Sequence, residues 1–423
     1  MDYFDYNAGP YKLHIIKNSF FKTIKIKVNF KCELKKDEIT IRNLLRLALI
    51  NSTKKYPSER LMNIESENLY DLVYGSSGVI TGNYSVLTFS IDFINKKYCL
   101  EDNLESSIDF LCNILFEPNV LEKKFESTNF LLVKERLKNT IESEIENPKS
   151  YALNRLLEEM DKKANYSFDP NGYLSDLEKI NEQNLYQCYI DMLNKNIVDI
   201  FVIGDVDVDE IKELINKKFT INTIKKPCST HFIEHKKFRS RVKTICEEKS
   251  ISQSKLYLGF KCDNVSNFER QYVSSIYSFI LGGGPDSKLF KSVREKNSLC
   301  YYINSSYRPV SNLLIITSGI DKTNFKKAVN LVKKEIKNMI NGDFDDDDIK
   351  KAISTYLNIN ESLLDSPNGI IKNYVSHEYL DFDLIEDRKK NILKVTKDDI
   401  ISFAKKIHLD TIYLLGSGDD SAA

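Results

Sequence analysis

"VDIFVIGDVD" (residues 198–207) and "DTIYLLGSGD" (residues 410–419) decide the fold. Each is a run of β-branched, aromatic and aliphatic residues closed by a glycine, and each reads as a strand. Each also follows directly on an amphipathic helical segment, "NEQNLYQCYIDMLN" before the first and "TKDDIISFAKKIH" before the second. The elements leading up to the two strands occur in the same order. The chain therefore reads as a duplication of one α+β unit in which an antiparallel-rich sheet packs against helices.

In the first half, "YKLHIIK" and "KTIKIKVNF" are strand-like, the second alternating apolar and polar residues. A helix starts near Glu38, and another follows Tyr56-Pro57-Ser58, with Ser58 as its N-cap. "LVYGSSGVITGNYSVLTFSIDF" gives two strands around a Gly/Asn turn. Three or four helices run from about Asn103 to Asn194 before the strand at 198 and the helix "VDEIKELINKKF". The second half repeats this: a strand pair in "RVKTICEEKSISQSKLYLGF", helices at about 267–281 and 286–296, strands in "LCYYINSSYRPVSNLLIITSGI", long helices over 323–408, then the last strand. "NTIKKPCSTHFIEHKKFRS", with Pro227, a basic run and no clean period, has the marks of a linker. The expected domains are thus 1–222 and 241–418, with a linker at 223–240 and a small, acidic tail at 419–423.

At 423 residues the chain exceeds one ordinary core, so two domains are expected from length alone. Lys plus Arg and Asp plus Glu both number 61, so no net field draws the protein to nucleic acid or to an anionic membrane. No apolar run approaches the roughly 18 residues of a spanning helix, and the N-terminal stretch lacks the basic and apolar regions of a leader. The expectation is a cytoplasmic protein. The eight cysteines are scattered singly with no C-x-x-C pair, and read as small core residues in a reducing compartment. "DFDDDD" (343–348) reads as an acidic helix N-terminus rather than a cation loop.

Within the linker, "HFIEH" places His231, Glu234 and His235 in the H-x-x-E-H spelling that binds zinc when two histidines share a helix face. The stretch follows a proline loop and runs straight into a strand, which is the wrong setting for a zinc helix. It reads as a linker, with a stand-alone zinc peptidase using these three residues as the alternative.

Two further motifs resemble the insulinase-type (inverted zinc motif) peptidases, which include the mitochondrial processing peptidase and its bacterial relatives. "ILGGGPDSKLFKSVREKNSLCYYINSSY" (280–307) is similar to that family's C-terminal domain, and "TIRNLLRLALINSTKKYPS" (40–58) to its zinc helix and following turn. With the duplicated layout, the resemblance spans the chain and implies a clamshell-forming fold. It is nearest to a bacterial branch that lacks the zinc motif and accompanies an active paralogue. Carried over residue by residue, the family's histidines fall on Asn43 and Leu47 and its glutamate on Arg46; the third ligand falls on Glu135 or Glu142. Leucine donates nothing to a metal and arginine repels one, so no zinc is expected on this chain. The arginine and tyrosine with which active members hold the substrate backbone and the tetrahedral intermediate fall on Arg294 and Tyr301. Gly282, Gly283 and Gly284 either let a loop approach a peptide or simply turn the chain. The resemblance implies a non-catalytic subunit that closes a chamber with a zinc-bearing paralogue and encloses peptides. A peptide-binding homodimer is the non-enzymatic alternative.

Overall fold

The computed structural model describes residues 1–221 and 230–417. It divides into two compact units, Met1–Ser143 with Asp169–Thr230, and Glu144–Phe168 with the chain from His231 onward. The expected boundary at 222–223 and the 419–423 tail lie outside the described residues.

The first unit runs β1 (Asp2–Asn7), β2 (Lys12–Lys17), β3 (Thr23–Glu33), α1 (Ile39–Asn51), α2 (Glu59–Asn68), β4 (Val73–Thr81), β5 (Tyr84–Ile94) and α3 (Leu104–Phe116). Two-residue strands β6 (Val120–Leu121) and β7 (Lys124–Phe125) precede α4 (Ser127–Glu146). After α5 (Pro148–Met160), which belongs to the other unit, come α6 (Leu174–Leu177), α7 (Glu182–Lys195), β8 (Ile197–Gly204) and α8 (Val208–Lys218). The six-stranded sheet has the order β1-β2-β8-β3-β5-β4, with β8 parallel to β2 and antiparallel to β3. Period-two alternation decides which face is buried. Ile24, Ile26, Val28 and Phe30 of β3 and Leu87, Phe89, Ile91 and Phe93 of β5 point the same way and form the core with the helices. Ser58 caps α2 as expected, its hydroxyl accepting from the Leu61 amide.

The second unit runs β9 (Lys243–Lys249), β10 (Ser254–Cys262), a π-helical turn Glu269–Val273 continuing into α9 (Ser274–Gly282), a second π-helical turn Phe290–Glu295, β11 (Cys300–Arg308) and β12 (Leu313–Ile320). It finishes with α10 (Phe325–Ile340), α11 (Asp346–Ser362), α12 (Pro367–Leu380), α13 (Ile385–Asn391), α14 (Lys397–Ala404) and β13 (Ile407–Ser417). Its sheet order is β9-β13-β10-β12-β11, with β9 and β13 parallel. That matches β2-β8-β3-β5-β4 strand for strand, so the duplication is real; β1 is an addition on one edge.

Each repeat also fixes its first helix with a buried arginine. In the first unit Arg42 donates to Ser85 Oγ at 3.1 Å, to Asn196 Oδ1 at 2.9 Å and to the Phe30 carbonyl at 3.2 Å. One guanidinium thus joins α1 to the ends of β5, β8 and β3. In the second unit Arg270 donates to Asn312 Oδ1 at 3.1 Å and pairs with Glu234. Both arginines follow a strand that carries Phe-Lys-Cys at or one residue before its end, Phe30–Cys32 and Phe260–Cys262.

Five local readings need correction. β1 was not foreseen, because "DYFDYN" is short and half polar. Residues 103–194 carry five helices and the small β6–β7 ribbon, not three or four helices. The segment 286–296 is a short π-helical turn, and β13 already begins at Ile407, inside the stretch expected to be helical. Cysteine is not uniformly a core residue: Cys262 is buried, Cys246 is exposed, and Cys32, Cys99, Cys112, Cys188 and Cys300 are half-buried, while Cys228 lies outside the described residues. The acidic run does open a helix, with Asp345 and Asp348 forming a reciprocal capping box on α11.

The sheet of the second unit is covered on one face by α5. Ala152, Leu156, Leu157 and Met160 pack on Tyr257, Leu313, Ile315, Tyr413 and Leu415. Arg155 anchors the helix to β9 through Glu247 at 2.6 Å. The approach is so close that a Cβ on Gly259 of β10 would sit 2.3 Å from Met160 Sδ.

From His231 to His235 the chain is irregular, not helical. Ile233 N bonds the Val310 carbonyl at 2.9 Å, and Asn312 Nδ2 bonds the Ile233 carbonyl at 2.9 Å. His231 stacks on Tyr379 with ring centroids 5.5 Å apart, Glu234 pairs with Arg270, and His235 Nε2 donates to the Ser311 carbonyl at 2.8 Å. This stretch is a strap across the second unit.

Two outcomes follow from this packing. Gly259→Val forces α5 off its sheet, and equilibrium urea unfolding should register a loss of about 1–3 kcal/mol. Burial holds the His235 imidazole below its ordinary value. The unfolded chain then takes up a proton near pH 6.5 that the folded chain binds only at lower pH, so stability falls on acidification from about pH 7 toward 5. His235→Gln should flatten that part of the stability curve relative to wild type.

Candidate functional site

The helix that resembles a zinc helix is α1, and its three key positions are chemically committed elsewhere. Asn43 Nδ2 donates to the Pro170 carbonyl at 2.6 Å and to the Ile39 carbonyl at 3.1 Å, while Oδ1 accepts from Arg46 Nε at 2.9 Å. Both ends of the amide are used inside the protein. Arg46 is half-buried, and burial lowers its guanidinium from the ordinary value, yet arginine keeps its charge and repels a cation. Leu47 packs against the apolar core. These residues do not fit zinc: Leu47 contributes no donor, Arg46 is cationic, and the buried Asn43 amide is hydrogen-bonded within the protein at both ends.

The other possible ligands are equally dispersed. Glu135 is exposed on α4 and lies 3.8 Å from Lys138, and Glu142 is half-buried one turn-pair further along the same helix. Among the described residues, neither glutamate belongs to a cluster of metal-ligating side chains, nor do His231, Glu234 and His235. In the strap, the non-helical backbone sends the two imidazoles to different neighbours, Tyr379 and the Ser311 carbonyl, so the H-x-x-E-H spelling gains no common helix face.

Arg294 and Tyr301, by contrast, are brought together. The helical turn carrying Arg294 ends in a left-handed cap, with Ser298 at φ 51°. Ser298 N bonds the Arg294 carbonyl at 2.9 Å and Leu299 N the Val293 carbonyl at 3.1 Å, a nested pair like that of a Schellman closure with each bond one residue longer, as the end of a π-helical turn requires. Strand β11 starts at once, and its register against β12 slips between Cys300 and Tyr302, leaving Tyr301 as the extra residue of a bulge. The spacing of seven is therefore a helix end, a tight cap and a bulge. It puts the Arg294 guanidinium 5.4 Å from the centre of the Tyr301 ring and 4.5 Å from that of Phe290.

The pair is open for use. Tyr301 is 76% exposed even though it is aromatic and lies on a strand. Among the described residues, Arg294 makes no ion pair and its side chain no hydrogen bond; its cation rests only on the two rings. A planar fork of donors beside a free phenol suits a peptide carbonyl or an oxyanion. Phe290 was missed by sequence reasoning. Its signal was present, since an aromatic four residues before an arginine on a helix lies on the same face.

The three glycines separate by role. A Cβ on Gly282 would lie 2.7 Å from the Ser305 amide nitrogen, so this glycine lets α9 press against β11. Gly283 and Gly284 border a depression of about 170 Å³ lined also by Pro285, Asp286 and Lys351. A Cβ on Gly284 would meet nothing within 4 Å.

Comparison with known proteins agrees with this geometry. Residues 179–356 match the family described as "Peptidase M16 inactive domain". The chain is 30% identical over 411 residues, 96% of either sequence, to the protein of Bacillus subtilis (strain 168) described as "Probable inactive metalloprotease YmfF". Its fold superimposes on a crystal structure of a conserved protein from Enterococcus faecalis V583 with TM-score 0.92 and 26% identity, covering 99% of this chain and all of that one. A protease from Helicobacter pylori shares the fold at TM-score 0.81 and 15% identity, covering 98% of this chain and 99% of the other. Duplicated sheets, an α1 with no zinc ligands and a match across nearly its whole length place this chain in the M16 peptidase family, among the homologues that lack the zinc motif.

Proposed function

We propose that this chain is the non-catalytic subunit of a two-chain zinc peptidase that encloses and processes peptides. The observation that carries the reading is the contrast between the two repeats: α1 has Asn43, Arg46 and Leu47 tied into the fold, while Tyr301 stands exposed beside a half-buried Arg294 whose guanidinium rests, among the described residues, only on two rings. A zinc-bearing paralogue would hold the metal and the general base, and would supply the hydrolytic chemistry. This chain would add fixed donors: Arg294 to a substrate carbonyl, and Tyr301 to the oxygen that gains charge. The seven described thiols are unpaired, which favours a reducing compartment and hence the cytoplasm, and no helix among the described residues is long and apolar enough to cross a membrane.

Purified alone, the chain should carry no stoichiometric zinc by metal analysis and should cleave no peptide. Co-purified with a zinc-bearing paralogue, it should form a heterodimer by mass measurement and sustain peptide hydrolysis. In that complex, Arg294→Ala or Tyr301→Phe should lower turnover by roughly tenfold to a hundredfold with zinc content unchanged. Undiminished turnover in both variants would end the shared-site reading. A homodimer that binds peptides without the paralogue would replace it with the non-enzymatic one.

A further inference from the structure

The buried arginines of the two repeats differ in one respect, and the difference marks a site. Arg270 in the second unit has a carboxylate, Glu234, against its guanidinium. Arg42 in the first unit is 4% exposed and meets only neutral acceptors: Ser85 Oγ, Asn196 Oδ1 and the Phe30 carbonyl. Among the described residues no carboxylate lies within 4.0 Å of it. A guanidinium has five N–H groups, and three are used here. A buried charge without a counter-ion is costly, and proteins normally pair one.

Beside Arg42 the protein leaves a cavity of about 440 Å³, inside the size range of small-molecule pockets. It opens where β3 ends, α1 begins, α7 passes and β8 starts. Its apolar lining includes Ile41, Tyr84, Met192 and Ile197; Gln187 also lines it, its Nε2 donating to Asp191 Oδ1 at 3.1 Å, and the Asn184 amide is held in the cap of α7. Three acidic residues also line it. Glu38 is engaged by Lys35 at 2.7 Å and Asp191 by Lys195 at 2.8 Å, and Glu33 makes no ion pair with Arg42.

We infer that this cavity is a binding site for a carboxylate, which takes against Arg42 the place that Glu234 takes against Arg270. The ligand is a small organic acid or the carboxylate of a short peptide, its body lying on the apolar lining. This site is separate from Arg294 and Tyr301, and it stands whether or not the chain pairs with a peptidase.

Calorimetric titration of the full chain tests it with trialanine, trialanine amide, acetate and inorganic phosphate. Trialanine should bind saturably at one site, with a Kd of about 1 mM or tighter, and its amide at least about tenfold more weakly. Acetate binding as tightly as trialanine would identify a free acid as the ligand type, and trialanine binding more tightly would identify a peptide terminus. Arg42→Gln should weaken binding at least about tenfold. Because that change also cuts ties to three strands, Gln187→Trp serves beside it: it fills the cavity from the exposed side of α7, leaves the Arg42 hydrogen bonds intact, and should weaken binding as much. No saturable binding of any carboxylate, equal affinity for acid and amide, tighter binding of phosphate, or unchanged affinity in Gln187→Trp would each overturn the assignment.

Discussion

In each unit the last strand enters the middle of the sheet. β8 slots between β2 and β3, and β13 between β9 and β10, so that two strands made early stay unpaired on one edge until the chain returns. Backbone N–H and C=O groups cannot be buried without partners, and an open edge invites pairing with other chains. Seven of the eight residues of β8 are buried. The whole layered arrangement, with its helices set on the sheet faces, presupposes that this late strand is home. Contacts so distant in sequence make for slow folding, and burying apolar faces on both sides of the strand holds the result.

Much of this was readable because the pattern and the chemistry pointed the same way. β3 and β5 alternate cleanly, the glycine-ended strands recur after similar helices, and Leu47 cannot be mistaken for a ligand. Other features were hidden for physical reasons. Arg42 sits on an amphipathic helix, where an arginine is ordinarily solvated, and only the fold reveals that it is enclosed by three strand ends. The Phe-Lys-Cys repeat at 30–32 and 260–262 was available as a sign that the strands before both arginines are equivalent. The periodicity of α5 announces a helix but carries no address, so nothing in "PKSYALNRLLEEM" says which sheet it covers. "HFIEH" has the opposite fault: a meaningful spelling in a backbone conformation that separates its donors.

The two repeats put their polar side chains to different uses. In α1, the positions that would serve a metal have become structural, Asn43 bridging to the Pro170 carbonyl and Leu47 joining the core. Such a helix is not a damaged site waiting for one reversal, since each replacement now has a packing role that a histidine would have to displace. The second repeat carries Arg294 and Tyr301 at a place where strand pairing is already broken by a bulge. There a side chain can be aimed outward with no loss of sheet hydrogen bonds.

The allegiance of α5 sets how the chain can be divided. Its apolar face, Ala152, Leu156, Leu157 and Met160, matches a sheet whose strands lie far downstream. During synthesis the ribosome delivers this helix long before β10 and β13 exist to receive it, so it waits as an exposed greasy surface. A gene cut at the linker would strand it on the wrong fragment, leaving one half with a sticky helix and the other with a bare sheet. The duplication that looks like two beads in the sequence is, in its covalent order, a braid.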